Sequence, residues 1–286
     1  MSSTALALVL TAALLHATWN LAAKGVTGDP VAFVWLYVVA TVVCWGPVAV
    51  VWVVVRDESP DRWWLLGAAV TAVLHIGYQL VLQHGYAEGD LNLVYPLARG
   101  SGPLLTFCFA VAVLGQRPGL VPALGVLAVV AGVLLIALGR SSRKVRAGVT
   151  WGLLTGATIA SYTLWDSFSV NHLDVPPLPY FVVSAVLQLP WLTLLLVRRR
   201  DRQPLAEVWR AARGPVLVVG ILSPLAYILV LRALQLAPVA LVAPARETSI
   251  VVGALFGWLV LHEPRPARRL LGAAIVLGGI ALIAAG

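Results

Sequence analysis

The sequence predicts an all-α membrane protein of about ten transmembrane helices, arranged as two inverted repeats of five helices. The first observation is composition, since 60% of the 286 residues are hydrophobic and 11% are charged. Soluble domains carry about 25% charged residues, so this chain needs lipid as its solvent. The second is that ten apolar segments of about 20 residues, each able to cross the bilayer, account for nearly the whole chain. The third is a repeat of sequence landmarks between the halves.

The ten predicted spans are separated by short loops that contain turn residues such as Gly28-Asp29-Pro30 and Asp174-Val175-Pro176-Pro177. Each span end is placed to within about 2–4 residues. The spans are 4–24, 31–55, 63–86, 91–114, 119–139, 147–169, 178–197, 214–236, 239–261 and 267–285.

The repeat is clearest in the fifth and tenth spans, which both carry glycines seven residues apart. Glycine at helical spacing allows two helices to approach closely, so we interpret these residues first as packing positions. Because several landmarks keep their order, we predict five-helix repeats at 1–143 and 144–286. An odd number of spans per repeat inserts the two copies in opposite directions, as in many secondary transporters. The glycines are Gly125, Gly132 and Gly139, and Gly272, Gly279 and Gly286.

The distribution of positive charge excludes nucleic-acid binding and predicts an orientation. Most Lys and Arg residues lie in clusters between apolar segments, where they flank membrane spans, and no basic surface remains for nucleic acid. The odd-numbered loops carry 14 Lys and Arg residues and the even-numbered loops carry 3. The positive-inside rule therefore places both termini outside. We expect the chain to reside in the cell (cytoplasmic) membrane, with the lipid bilayer as its surroundings.

Five ionisable residues fall near the middle of predicted spans, where a charge costs roughly 2.5 kcal/mol or more. They are His16, His75, Arg99, Arg246 and Glu247. The segments around Arg99 and Arg246 correspond in the two halves, and each follows a proline that removes a helical hydrogen bond. Interrupted helices near the midplane are typical of a transporter's binding site.

Two interpretations of these charges stay open. Arg99 and Glu247 could form a structural salt bridge that holds the halves together. Alternatively, two arginines against one glutamate leave one guanidinium to bind a carboxylate or phosphate of a substrate. His16, His75 and Glu247 are candidates for proton coupling, because the unperturbed imidazole pKa is about 6.5.

Further polar side chains lie at helical spacing on spans 1, 3, 4, 6, 8 and 9, which predicts six helices around a cavity and four outside it. Asp166 belongs to the polar stripe of span 6, but because it lies near the span end, the alternative that it extends to the interface stays open. The predicted substrate site comprises Arg99, Arg246, Glu247, His16, Trp19, Asn20, Tyr78, Gln79, Tyr95, Tyr162 and Tyr227.

The sequence contains none of the motifs that indicate an enzyme, a metal site or a cofactor. There is no HExxH, GxSxG or GxxxxGK[ST], and Cys44 and Cys108 have no ligand-spaced partners. We therefore predict no catalysis, no cofactor and no bound metal. Without an ATP site, any transport would be driven by gradients.

The chain resembles the EamA-type members of the drug/metabolite transporter superfamily. The resemblance rests on Gly115-Gln116-Arg117-Pro118 followed by Gly125 and Gly132, and on His262-Glu263-Pro264-Arg265-Pro266 followed by Gly272 and Gly279. The segment from Leu15 to Lys24 is also similar to the family's first helix. The resemblance implies a basket-shaped carrier that works by alternating access, with a cavity lined by spans 1, 3, 4, 6, 8 and 9.

Family members handle amino acids, other metabolites, nucleotide sugars or drugs, and many bacterial ones are exporters. Two features of this chain depart from the family. Gln116 replaces an acidic residue that Glu263 retains in the second half, and relatives are described with both termini in the cytoplasm, against the charge count.

The leading hypothesis is a secondary transporter, and an exporter, of a small anionic or zwitterionic metabolite, acting as a monomer or homodimer. One alternative is a multidrug exporter of organic cations, in which Glu247 would be the buried acid. Another, of a different class, is a non-transporting membrane receptor or a membrane enzyme.

Overall fold

A computed structural model describes residues 1–286 except 25, 27, 89–90, 138–144, 200–202, 253–265 and 286. Within these residues the fold is entirely helical, which confirms the predicted class. The helices are α1 Ser3–Lys24, α2 Pro30–Val55, α3 Arg62–Glu88, α4 Leu91–Ala112, α5 Leu120–Ala137, α6 Val145–His172, α7 Pro177–Arg198, α8 Leu205–Leu236, α9 Val239–Ala245 and α10 Pro266–Ala285.

The outer surface of the bundle is apolar, as a membrane protein requires. Five of the described helices, α1, α2, α3, α7 and α8, are long and apolar enough to cross a membrane. Large aliphatic side chains point outward, among them Val43, Val54 and Leu120. In water such a surface would promote association, whereas in a bilayer it faces hydrocarbon at no cost.

The helix contacts repeat when each helix is replaced by its equivalent in the other half. Helices α1 to α5 correspond in order to α6 to α10. Helix α1 packs on α8 and, correspondingly, α6 packs on α3. Likewise α2 packs on α8 and α7 packs on α3, while α4 packs on α5 and α9 on α10. Two halves with inverted directions generate this exchange. The sequence repeat is therefore a structural repeat.

The glycine series of α5 and α10 face each other, as the packing interpretation predicted. A Cβ atom on Gly125 would lie 2.6 Å from the carbonyl oxygen of Gly279, and one on Gly132 would lie 2.8 Å from that of Gly272. The two backbones are therefore in direct contact. The remaining members of the series, Gly139 and Gly286, lie outside the described residues.

Side chains cap the first turns of α2 and α9, the first from the residue directly before the helix and the second from a distant loop. The Asp29 carboxylate accepts hydrogen bonds from the backbone N–H groups of Val31 and Ala32 and pairs with Arg199 Nη1 at 3.1 Å. At the start of α9, Gln116 Oε1 accepts from the Ala240 N–H at 3.2 Å. Because Pro238 precedes that helix and has no capping side chain, Gln116 fills the role of the N-cap from the loop between α4 and α5.

Two elements differ from the predicted spans. Helix α8 begins at Leu205 rather than at 214. The charged residues before 214, which the sequence predicted to lie in a loop, form an exposed first segment of the helix that ends in a kink at Ala212. Helix α9 ends at Ala245, and Arg246 and Glu247 form a turn before helical residues resume at Thr248. The predicted interruption after Pro244 is therefore present. The corresponding interruption at Pro96 is not observed, because α4 runs without a break from Leu91 to Ala112.

Candidate functional site

A cavity of about 250 Å³ lies in the middle of the bundle. Seven helices, α1 to α4 and α6 to α8, border it, together with Arg246 in the turn after α9. Polar and aromatic side chains dominate the wall. The bordering residues include ten that the sequence singled out: His16, Trp19, Asn20, His75, Tyr78, Gln79, Arg99, Tyr162, Tyr227 and Arg246.

The two remaining predicted residues are placed differently. Glu247 does not border the cavity and is almost completely buried behind it. The side chain of Tyr95 lies outside the described residues.

The prediction that spans 2 and 7 stay outside the cavity is wrong. Tyr37 and Thr41 of α2 and Phe181 and Gln188 of α7 contribute to its wall. Thr41 donates to the carbonyl oxygen of Gly220 at 3.1 Å, where α2 crosses α8 closely. A single Thr or Gln in an apolar span was the available signal, and it was too weak to distinguish these helices from lipid-facing ones.

Arg99 on α4 and Glu247 after α9 form an ion pair between the two halves, with Nε and Oε2 3.0 Å apart. The guanidinium also donates through Nη2 to Ser249 Oγ at 3.0 Å. Glu247 is 1% exposed, so its charge is compensated by protein rather than by water. Arg99 thus serves two purposes, because it neutralises Glu247 and still borders the cavity.

Arg246 is placed differently from Arg99. Among the described residues no carboxylate lies within ion-pair distance of its guanidinium. Its Nη2 lies 3.5 Å from the Tyr162 hydroxyl, and its Cζ lies 6.0 Å from the centre of that ring. The described cavity wall contains no acidic side chain. The site therefore presents positive charge to the cavity.

Aromatic rings form one side of the cavity. His75 stacks on Tyr162 with ring centres 4.4 Å apart and meets the edge of Tyr227 at 5.7 Å. On α1, His16 contacts Trp19 edge to face at 4.8 Å. The Trp19 indole N–H is buried and finds no hydrogen-bond partner in the described part of the chain. An unpaired buried donor beside a cavity is available to a bound molecule.

Asp166 does not extend to the membrane interface, which was the alternative suggested by its position near the span end. Its side chain is completely buried. Thr71 Oγ1 and the Tyr180 hydroxyl each donate to Oδ1 at 2.5 Å, and the Tyr227 hydroxyl donates to Oδ2. The sequence placed Asp166 near the end of a span, but α6 continues to His172. The residue therefore lies deeper than the one-dimensional reading suggested.

A second, larger groove of about 970 Å³ lies on the opposite face of α6. Ser161, Trp165, Phe168 and His172 repeat there at helical spacing, whereas Tyr162 and Asp166 point toward the central cavity. The lining of this groove is mostly apolar, and it holds no acidic or guanidinium group among the described residues. Its chemistry is that of a surface in contact with lipid.

Comparisons with known proteins agree with this architecture. Several solved structures match, among them a crystal structure with a TM-score of 0.75 at 17% sequence identity, over 99% of this chain and 96% of the other, which shows a shared fold. No curated protein sequence matches. The sequence profile of the EamA-like transporter family matches twice, at residues 3–138 and 146–285. The chain is therefore a multi-pass membrane transporter of the drug/metabolite transporter superfamily and belongs to the EamA-like transporter family.

Proposed function

We propose that this transporter exports a small anionic or zwitterionic metabolite across the cell membrane by alternating access, with Arg246 as the anchor for the negative group. The observation that carries the proposal is the position of Arg246. Its guanidinium borders the central cavity, while the negative charge of Glu247 is taken up by Arg99. A guanidinium binds a carboxylate or phosphate through two parallel hydrogen bonds.

The size of the cavity favours a metabolite over a drug. Pockets for drug-sized ligands measure about 300–1,000 Å³, whereas this one measures about 250 Å³. Its charge also disfavours organic cations, because the acidic groups nearest to it, Glu247 and Asp166, are both buried behind the wall. The multidrug alternative would require an acid that faces the cavity.

The remaining wall suits the rest of a zwitterionic molecule. The Tyr227 ring offers a π-face to an ammonium group, and the Trp19 indole and Gln79 amide offer hydrogen-bond donors. Thr41 and Gln188 extend the polar lining on the other side. This arrangement explains why polar side chains are spread over seven helices of a lipid-embedded protein.

A binding screen tests the proposal. Detergent-solubilised wild-type protein, Arg246→Ala and Arg246→Lys would be heated with a size-matched charge series: glutarate, glutamine and choline. A bound ligand stabilises the folded protein by mass action. We expect the anion or the zwitterion to stabilise the wild type. Arg246→Ala should need about 10- to 100-fold more ligand for the same stabilisation, which corresponds to a loss of about 1.5–3 kcal/mol of binding free energy.

The matched control is Arg210→Ala, which removes an exposed arginine of α8 far from the cavity wall. It should bind as the wild type does. Stabilisation by choline alone, or equal stabilisation of the wild type and Arg246→Ala, would contradict the proposal.

A further inference from the structure

The Asp166 cluster, defined as Asp166 with its three hydroxyl donors Thr71, Tyr180 and Tyr227, joins four helices next to the cavity. The donors come from α3, α7 and α8, and the carboxylate comes from α6. Thr71 precedes the cavity residue His75 by one helical turn, and Asp166 follows Tyr162 by one turn. The cluster therefore lies one turn beyond the cavity, toward the membrane face at which α1 begins.

The charge balance of the cluster is unusual for the membrane interior. Asp166 is 0% exposed, and within the described residues no cation lies within ion-pair distance of it. Only hydroxyl groups compensate an ionised carboxylate there. Intramembrane acids of this kind are costly and serve as proton relays in pumps and transporters.

In the described part of the chain, titratable and charged side chains from α3, α6, α7 and α8 and from the turn after α9 lie around the cluster. His75 of α3 holds Nδ1 2.9 Å from the Thr71 carbonyl oxygen and 3.1 Å from Thr71 Oγ1. Tyr180 and Tyr227 contact the carboxylate directly, from α7 and α8. Tyr162 of α6 lies against His75 and connects to Arg246. A chain of polar contacts therefore runs from the Asp166 carboxylate to the cavity wall.

Protonation would change these contacts. An ionised carboxylate only accepts hydrogen bonds, whereas a neutral carboxyl must donate one. The partners in reach are the three hydroxyl oxygens, so one of them must turn its own hydrogen away. Of the three, only Tyr227 borders the cavity, where water or cargo can accept that hydrogen.

We propose that Asp166 is a proton-binding site that couples proton uptake to opening of the cavity. In the ionised state three hydroxyls tie α3, α7 and α8 to α6. Uptake of one proton from water neutralises the carboxylate and turns the hydroxyl hydrogen of Tyr227 toward the cavity. The hydrogen bonds of the cluster are then no longer charge-assisted, which weakens them and loosens this junction. The inference rests on the proposed transport function for its purpose, but its tests require no cargo.

The first test is infrared spectroscopy of the purified protein at acidic and at neutral pH. Protonation of Asp166 produces a carboxyl C=O band that is absent from Asp166→Asn and present in the control Glu207→Gln, which changes an exposed acid at the start of α8. Tyr180→Phe removes one donor to the ionised form, so its band should be stronger than that of the wild type at the same pH. A band that does not depend on Asp166, or a band of unchanged strength in Tyr180→Phe, overturns the proposal.

The second test measures, at a single pH, how accessible the cavity is to a water-soluble reagent. In a background with Cys44→Ala and Cys108→Ala, a cysteine in place of the buried cavity residue Ala185 would be labelled with a water-soluble maleimide. We expect Asp166→Asn to label about tenfold faster than the parent, as when a conformer populated at about 10% becomes dominant. Equal labelling rates in Asp166→Asn, the parent and Glu207→Gln would show that the cluster is only structural. Neither test depends on Arg246, so each proposal can fail without the other.

Discussion

Replacing Gly279 with alanine should force α5 and α10 apart. A Cβ atom at this position would lie 2.6 Å from the carbonyl oxygen of Gly125 and 2.9 Å from the backbone nitrogen of Val129. Favourable contact between heavy atoms begins at about 3.5 Å. Both obstructing atoms belong to the backbone and cannot rotate away, so the two helices must separate.

The expected cost follows from two opposing terms. Overpacking of a close contact costs about 1–3 kcal/mol, while glycine to alanine within a helix gains about 0.5–1 kcal/mol. Because rigid backbone atoms lie on the obstructing side, we expect a net loss of about 1–2 kcal/mol in the free energy of unfolding. At about 2–4 °C per kcal/mol for chains of comparable size, the melting temperature should fall by roughly 2–8 °C.

Gly278 provides a matched control one residue away. It is exposed, and a Cβ there would meet no atom within 4 Å. Gly278→Ala should therefore melt at or slightly above the wild-type temperature when all three proteins are heated in the same detergent. A melting temperature of Gly279→Ala equal to that of the wild type, or an equal fall in both variants, would refute the reasoning about this helix contact.

Two further predictions concern contacts between the halves. Arg99→Gln leaves the Glu247 carboxylate buried without its partner and should lower the free energy of unfolding by about 3–5 kcal/mol. The double variant Arg99→Gln/Glu247→Gln should recover most of this loss in the same melting assay. A double variant no more stable than the single one would contradict the pairing. Gln116→Ala removes the acceptor that caps the Ala240 N–H and should lower the free energy of unfolding by about 0.5–2 kcal/mol. Gln116→Glu keeps the acceptor and adds about 0.3–1 kcal/mol of favourable interaction with the N-terminus of α9. A Gln116→Glu variant no more stable than Gln116→Ala would exclude the capping role.

The sequence was sufficient to predict the features that follow from hydropathy and from costly charges. Apolar length located the spans, and the glycine spacing predicted positions of close helix packing, which the structure places between α5 and α10. The rule that charges in the middle of the membrane avoid lipid predicted that Arg99, Arg246 and His75 face the protein interior, and all three border the cavity. The predicted pair of Arg99 and Glu247 is present, and substrate binding by Arg246 stays a prediction.

Features that depend on three-dimensional neighbours were not predictable in this way. Asp166 lies near the end of α6 in sequence, and nothing in one dimension indicates that Thr71, Tyr180 and Tyr227 from three other helices enclose it. Thr41 and Gln188 are single polar residues in apolar spans, so no periodicity marked their helices as part of the wall. The first segment of α8 carries the charged residues Glu207 and Arg210, which made it resemble a loop.

Uptake into proteoliposomes tests the central claim most directly. Vesicles with wild-type protein, Arg246→Ala or Arg210→Ala would be exposed to a radiolabelled mixture of amino acids and short dicarboxylates, and separately to labelled organic cations. We predict that wild-type and Arg210→Ala vesicles accumulate the anionic or zwitterionic label and that Arg246→Ala vesicles do not. Accumulation of organic cations alone, or equal accumulation of the mixture with Arg246→Ala, would contradict the account.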